Sequence, residues 1–178
     1  ATLDLAGHVE EAEVPVVPGA PRSHVIINEV MANPAGAEPA QEWVELYNDG
    51  AAAVDLASYA LDDGALRTVL PDSMLDAGAY ALVVSDAFAV DDGVDPVPPA
   101  DTALLRVRSI GQGGLSNEGE RLTLRDATGT PVSVFPPLKT KNGVSAARVA
   151  PDATDDDPAS FTASPNGSAT PGAPNGSP

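Results

Sequence analysis

The sequence predicts an all-β protein built as a β-sandwich. Short runs rich in Val, Ile, Leu and Tyr recur along the chain, and several alternate apolar with polar residues. Turn signals such as Asp-Gly, Asn-Gly and Gly-rich pairs separate these runs at intervals of about 8–12 residues, the spacing typical of sandwiches. No segment holds a convincing amphipathic helical period, and residues 86–90 would accommodate only one helical turn.

The first two predicted strands carry the clearest patterns. Residues 25–31 are apolar and β-branched, as expected for a buried strand, and an Asn-Pro pair follows them. Residues 42–48 alternate, which places Val44 and Leu46 together on one face. The other predicted strands are short and lie at 54–56, 59–61, 67–70, 79–85, 103–107, 121–125, 132–135 and 144–149.

Composition divides the chain into three segments. Residues 1–22 form an N-terminal extension with an acidic stretch and an extended Val-Pro-Val-Val-Pro run. Residues 23–150 form the predicted sandwich. Residues 151–178 are rich in Asp, Pro, Ser, Gly and Thr, and we expect them to form an irregular tail that packs on the sandwich. Aromatic residues make up only 4% of the chain, so the core must consist of Val, Leu, Ala and Ile.

The charge of the chain excludes several classes of partner. The formal net charge is −17, which would repel the phosphates of nucleic acids and anionic membrane surfaces. No apolar run reaches the roughly 18 residues needed to span a membrane. Cysteine is absent, so the chain has no disulfide and no thiolate site.

Seven sequence elements occur in a fixed order: Val25–Met31 with Asn33-Pro34, Glu42–Asn48, Val54–Gly64, Leu75–Tyr80, Gly114–Glu120, Arg125–Gly129 and the Thr-Pro-Gly-Ala-Pro-Asn run at 170–175. Together, in this order, they resemble the lamin-tail domain. The chain departs from the family pattern at Tyr59, where Trp is usual, and at Ala77, where Pro or Gly is common. Both changes affect packing or turn stiffness and leave the fold expectation intact.

The resemblance implies an immunoglobulin-like sandwich used for interaction or architecture. Such domains end nuclear filament proteins in animals and occur on secreted and cell-surface proteins in prokaryotes. We therefore expect an extracellular or cell-surface location. A sequence that begins with Ala fits a mature secreted chain or a piece of a longer protein. The family has no catalytic activity of its own to carry over, so function depends on this chain's residues.

No residue pattern indicates a catalytic site. The two histidines, His8 and His24, lack the serine and acid context of a hydrolytic triad. The best-placed carboxylate pair, Glu42 and Glu45, is three residues apart in a strand and so faces opposite sides. We expect no enzyme and no required cofactor.

Acidic loops are candidates for a calcium site. Loop carboxylates and carbonyls are the ligands that calcium prefers, although none of these loops has the spacing of an EF-hand. The alternative is that the aspartates simply form turns and solvated loops. The candidate ligands are Asp62, Asp63, Asp91, Asp92, Asp95, Asp155, Asp156 and Asp157.

The N-terminal extension is a candidate assembly strand. An extended arm with alternate apolar residues can add to the edge of its own sheet or to that of another subunit. We prefer the own-sheet alternative; the second one joins subunits head to tail and produces a filament. The apolar anchors of the arm are Leu3, Leu5, Val9, Val14, Val16 and Val17.

These observations predict a non-enzymatic extracellular structural or interaction module whose partners are proteins. If the arm adds to another subunit, these partners include copies of the chain itself. Two alternatives stay open: a calcium-dependent adhesion or ligand-binding module, and the accessory domain of a secreted hydrolase. We expect Trp43, Tyr47 and Tyr59 to be packing residues rather than ligand platforms.

Overall fold

A computed structural model describes residues 24–164 and 168–176. Regular structure in these residues is β-strand, apart from a 3₁₀ helix at Pro158–Ser160. The strands are β1 Val25–Met31, β2 Trp43–Asn48, β3 Val54–Asp55, β4 Ala60–Asp62, β5 Arg67–Val69, β6 Met74–Leu75, β7 Tyr80–Ser85, β8 Ala103–Val107, β9 Leu122–Arg125, β10 Pro131–Phe135, β11 Ala146–Arg148 and β12 Phe161–Ala163.

Two sheets face each other and form the predicted sandwich. The large sheet has six strands in the order β12-β11-β1-β2-β7-β8, and the small sheet has four in the order β10-β9-β4-β5. The short pair β3 and β6 forms a separate ribbon. All pairs are antiparallel except β7 and β8, which run parallel.

The main core lies between the two sheets. Alternate residues of each strand point inward, as the period of two requires. Burial of these aliphatic side chains, at about 25 cal/mol per Å² of apolar surface, is the main force that holds the layers together. The largest side chains of this core include Ile27, Leu46, Leu56, Leu61, Leu75, Leu122 and Leu124, all 2% exposed or less.

One side of the sandwich is closed by a buried arginine. The pairing of β1 with β2 shifts register between Ile27 and Glu29, and Ile27 turns to the opposite sheet, where its N–H donates to Ser133 Oγ at 3.1 Å. Arg148, 2% exposed, donates to the Ile27 carbonyl at 2.9 Å and to Asp155 at 2.7 Å. Its guanidinium also lies 4.8 Å from the centre of the Phe161 ring, a cation–π distance. These bonds join β1, β10, β11 and the C-terminal region.

The C-terminal region is more regular than its composition indicates. β12 adds to β11 and so forms one edge of the large sheet. Residues 168–176 then lie on the outer face of that sheet. There Ala169 packs in a second apolar cluster with Met31, Trp43, Leu82, Val84 and Phe88. This cover explains why β1 is buried on both faces.

The observed strands follow the predicted ones closely up to residue 149. The pattern did not predict β6, which has two residues, or β12. The N-terminal arm, with Leu3, Leu5, Val9, Val14, Val16 and Val17, lies outside the described residues. In the described part of the chain, no helix is both long and apolar enough to cross a membrane.

Candidate functional site

The side of the sandwich opposite Arg148 is open. There the edge strand of the small sheet, β5, and the edge strand of the large sheet, β8, border a groove of about 580 Å³. Leu66 and Val69 contribute apolar surface to it and are 46% and 61% exposed. Unpaired strand edges beside exposed apolar side chains are surfaces on which another strand can add.

The main chain of β5 offers hydrogen-bonding groups at this edge. Leu70 N–H donates to the Tyr59 carbonyl at 2.8 Å, and Thr68 lies opposite Leu61 of β4. Bonding directions alternate along an antiparallel strand. The main-chain groups of the even-numbered residues, such as Thr68 and Leu70, therefore point to β4. The N–H and C=O groups of Arg67 and Val69 point the other way, to the free edge of the sheet.

Two arginines give the groove positive charge on an otherwise acidic protein. The chain has 9 Lys and Arg against 26 Asp and Glu, and Arg106 and Arg108 both line the groove. Nη1 of Arg106 donates to the carbonyls of Ser85, Asp86 and Phe88 at 3.1–3.3 Å, which fixes its position. Neither arginine takes part in the ion pairs found within the described ranges.

Asp62 and Asp63 lie at the turn that leads into β5. Asp62 accepts from Arg125 at 2.8 Å and lies 3.7 Å from Arg67; the bond from Arg125 lowers the pKa of its carboxyl. Asp63 accepts from the N–H groups of Leu66 and Gln112 at 2.6 and 2.7 Å. Burial acts to raise the pKa of Asp63, but these N–H bonds lower it overall. Asp63 thus fixes the wall of the groove.

The aspartates at 91–95 stabilise their own loop and a neighbouring one. Asp91 and Asp92 accept from main-chain N–H groups two and three residues further on, as turn-forming aspartates do. Asp95 accepts from the N–H groups of Ala35 and Gly36, both at 2.9 Å.

The aspartates at 155–157 have three separate partners. Asp155 bonds to Arg148, Asp156 pairs with Arg121 at 3.0 Å, and Asp157 caps the 3₁₀ helix through Ala159 N–H. Within residues 24–164 and 168–176, no group of three or more His, Asp or Glu side chains is arranged to hold a metal ion. The calcium hypothesis stays a prediction.

Two buried carboxylates hold residues 168–176, the C-terminal segment, and the sequence did not single out the pairing of these two acids. Glu29 and Glu45 lie opposite each other on β1 and β2, each fully buried. Glu29 accepts from Thr170 Oγ1 at 2.8 Å, from Thr170 N–H and from Ser145 Oγ. Glu45 accepts from Asn28 Nδ2 at 2.6 Å and from the N–H of Gly172. The available sign of this buried pair in the sequence was Glu29, a single acidic residue inside the apolar run 25–31.

Burial raises the pKa of both carboxyls, that of Glu45 to about 8, while the hydrogen bonds act in the opposite direction. Glu42 lies apart from this pair and accepts from Leu115 N–H at 2.6 Å; burial raises its pKa to about 7. Each of these glutamates has main-chain donors as partners, an arrangement that fixes loops and the C-terminal segment.

A smaller cleft of about 180 Å³ lies next to the C-terminal segment. Tyr47 and Tyr80 stack on its wall with ring centres 4.5 Å apart. Burial, followed by the effects of Tyr47 and Glu45, raises the pKa of Tyr80 to about 12. His24 lies at the same end of the large sheet and bonds to Asp49 at 2.6 Å. His8 lies outside the described residues.

Comparison with known proteins identifies the family. The family model of the Lamin Tail Domain matches residues 18–137, about two thirds of the chain. No curated protein matches the chain. The matched range extends through β10 and leaves β11, β12 and the C-terminal segment outside. The family is immunoglobulin-like and often mediates protein interactions. With its two facing sheets and its family match, the chain belongs to the lamin tail domain family.

Proposed function

We propose that this chain is a non-enzymatic extracellular structural module that associates with copies of itself through its N-terminal segment 1–22. The groove between β5 and β8 carries this proposal, because both sheets end there with unpaired edges and exposed apolar side chains. Protein-binding surfaces of this kind gain affinity from main-chain hydrogen bonds and from pockets for alternate side chains.

The placement of the glutamates supports a non-enzymatic role. An acid or base in catalysis must reach a substrate atom within hydrogen-bonding distance. The oxygens of Glu29 and Glu45 instead meet donors of the C-terminal segment, which covers them. Their raised pKa values follow from burial in the fold.

An extracellular location is supported by the resemblance to prokaryotic surface proteins and by the high negative charge, which favours solubility. Protease treatment of intact cells tests it. An extracellular domain is cleaved while a cytoplasmic marker stays intact. Protection of both until the cells are lysed contradicts the proposed location.

Self-association is tested by light scattering across a range of concentrations. The full chain is compared with a chain that lacks residues 1–20 and with one in which Gly and Ser replace those residues at equal length. We expect a mass that increases with concentration for the full chain and the monomer mass for both variants. A monomer mass for all three contradicts the proposal, and growth in the replaced chain shows that the arm sequence has no role.

A further inference from the structure

We infer that the groove between β5 and β8 is the acceptor for residues 13–17 of a second copy, which add to β5 as a new edge strand. This inference rests on the proposed self-association and specifies where the arm binds. It requires three properties of the groove: a matching main-chain pattern, complementary charge, and a position that the arm of the same chain does not reach.

The main-chain pattern of the arm fits β5. The groups at the free edge belong to Arg67 and Val69, two residues apart. In the arm, Val14 and Val16 are also two residues apart and both have an N–H. Pro15 lies between them and would face solvent, where an edge strand needs no donor. The proline that excludes this segment from a central strand is therefore compatible with an added edge strand.

The negative charge of the arm is complementary to the positive charge of the groove. The arm carries Glu10, Glu11 and Glu13 directly before Val14. Arg106 and Arg108 line the groove, are exposed, and form no ion pair in the described part of the chain. At a net charge of −17, two copies repel each other in most orientations, and the arginines favour the one in which the acidic arm meets the groove.

The position of the groove favours a second copy over the same chain. His24 leads into β1 at the end of the sheet where Val25 pairs with Asn48, whereas the groove opens beyond Trp43 at the other end. Along the strands, the groove therefore lies five residue steps (48 − 43), or ~17 Å, from the end where His24 enters β1. Across the large sheet, β8 lies three strand spacings, or ~14 Å, from β1. β5 lies in the other sheet, ~10 Å further.

These separations combine to ~24 Å in a straight line through the sandwich. The seven steps from Val17 to His24 (24 − 17) span at most ~25 Å when fully extended. No length is left for a path around the sheets. Addition to a second copy is head to tail, and such contacts propagate into a fibre unless the rotation closes a ring.

Charge reversal tests the contact first. Arg108→Glu replaces attraction by repulsion, and we expect self-association to weaken about tenfold, measured by sedimentation at several salt concentrations. An arm with Glu10, Glu11 and Glu13 changed to Lys should restore binding to the Arg108→Glu groove. Lys141→Glu, also exposed and outside the groove, is the control. Equal association of wild type and Arg108→Glu overturns the inferred acceptor site.

Cross-linking tests the position of the strand, because the chain has no cysteine of its own. A chain with Val16→Cys or Val14→Cys is mixed with a tagged chain that carries Val69→Cys. We expect a disulfide-linked heterodimer. Val94→Cys is the matched control, since Val94 is 62% exposed, Val69 is 61% exposed, and Val94 does not line the groove.

The outcomes separate the two proposals. Self-association that persists without cross-linking at Val69 overturns the acceptor site and leaves the proposed function standing. A monomeric full chain overturns both. A cross-link that forms within one chain carrying both cysteines, at a dilution where no dimer forms, shows that the arm binds its own groove and overturns addition to a second copy.

Discussion

Arg148 joins three parts of the molecule that are distant in sequence. Its guanidinium donates to the Ile27 carbonyl on β1, to Ser133 on β10 and to Asp155 beyond β11. A buried cation is stable only when such partners surround it. Arg148 therefore has a structural role, which distinguishes it from the exposed arginines of the groove.

Arg148→Ala should lower the free energy of unfolding by about 3 kcal/mol, because it leaves a partly buried carboxylate and a buried carbonyl without their partner. Chemical denaturation measures the change. Arg67→Ala is the control: its side chain is 53% exposed and 3.7 Å from Asp62, so it should change the stability by less than about 0.5 kcal/mol. Equal losses for the two variants would contradict the structural role of Arg148.

Glu45 should make the protein less stable as the pH rises. Its pKa in the folded state, about 8, lies above the ordinary value of 4.5, so the folded state binds more protons between these values. The stabilising contribution of the protonated form is complete below pH 4.5 and is lost as the pH rises through 8. Denaturation at several pH values measures this dependence. Glu45→Gln should make it shallower.

The exposed Glu118 provides the matched control for this experiment. Its side chain is 78% exposed and pairs with Lys139 at the surface. Glu118→Gln should keep the wild-type dependence of stability on pH between 4.5 and 8. An unchanged slope in Glu45→Gln would show that another group is responsible for the effect.

At the scale of elements, the C-terminal segment covers the outer face of the large sheet. It covers Trp43 and Leu82 on the outer face and bonds to Glu29 and Glu45 through Thr170 and Gly172. Gly172 has φ +77°, and a Cβ at this position would lie 2.2 Å from Thr102 Oγ1. The segment thus depends on a glycine at this position for both backbone conformation and space.

Gly172→Ala should detach the segment and destabilise the protein by about 1–3 kcal/mol. Trp43 is the only tryptophan and is 1% exposed, so its fluorescence should shift to longer wavelength as the cover loosens. Gly176→Ala is the control, because nothing lies within 4 Å of a Cβ there. Wild-type fluorescence and stability in Gly172→Ala would contradict this role of the segment.

Local patterns predicted most of the elements and few of their pairings. Residues 25–31 and 42–48 show β patterns that do not depend on their neighbours, and both form strands. β12 escaped prediction because its Phe-Thr-Ala sequence lies in a polar, Pro-rich region, where pairing with β11 overrides local propensity. β6 has only two residues, too few for a period to show.

At the scale of the whole molecule, the net charge of −17 opposes compaction. The melting temperature should therefore increase from about 0.01 M to about 0.5 M sodium chloride, as the Debye length shortens. Scanning calorimetry measures this increase.

The predicted calcium site would add about 2.7 kcal/mol to the free energy of unfolding at a hundredfold excess of calcium over its Kd. Magnesium at equal ionic strength is the control, and equal effects of the two cations contradict a specific site.

The groove follows from the whole architecture rather than from any one motif. Arg106, Arg108, Leu66 and Val69 show no common pattern in the sequence, and they meet because β5 and β8 end different sheets on the same side. Local patterns identified the arm as a candidate assembly strand but gave no location for its acceptor.

The sequence by itself determined the all-β class, most strands and the family, because alternation and turn residues are local and act through main-chain conformation. Only the tertiary structure decided the strand order, the cover over the large sheet and the partners of the buried acids. Glu29 bonds to Ser145 and Thr170, which lie 116 and 141 residues away. Contacts over such separations depend on how all the elements pack together, and no local pattern specifies them.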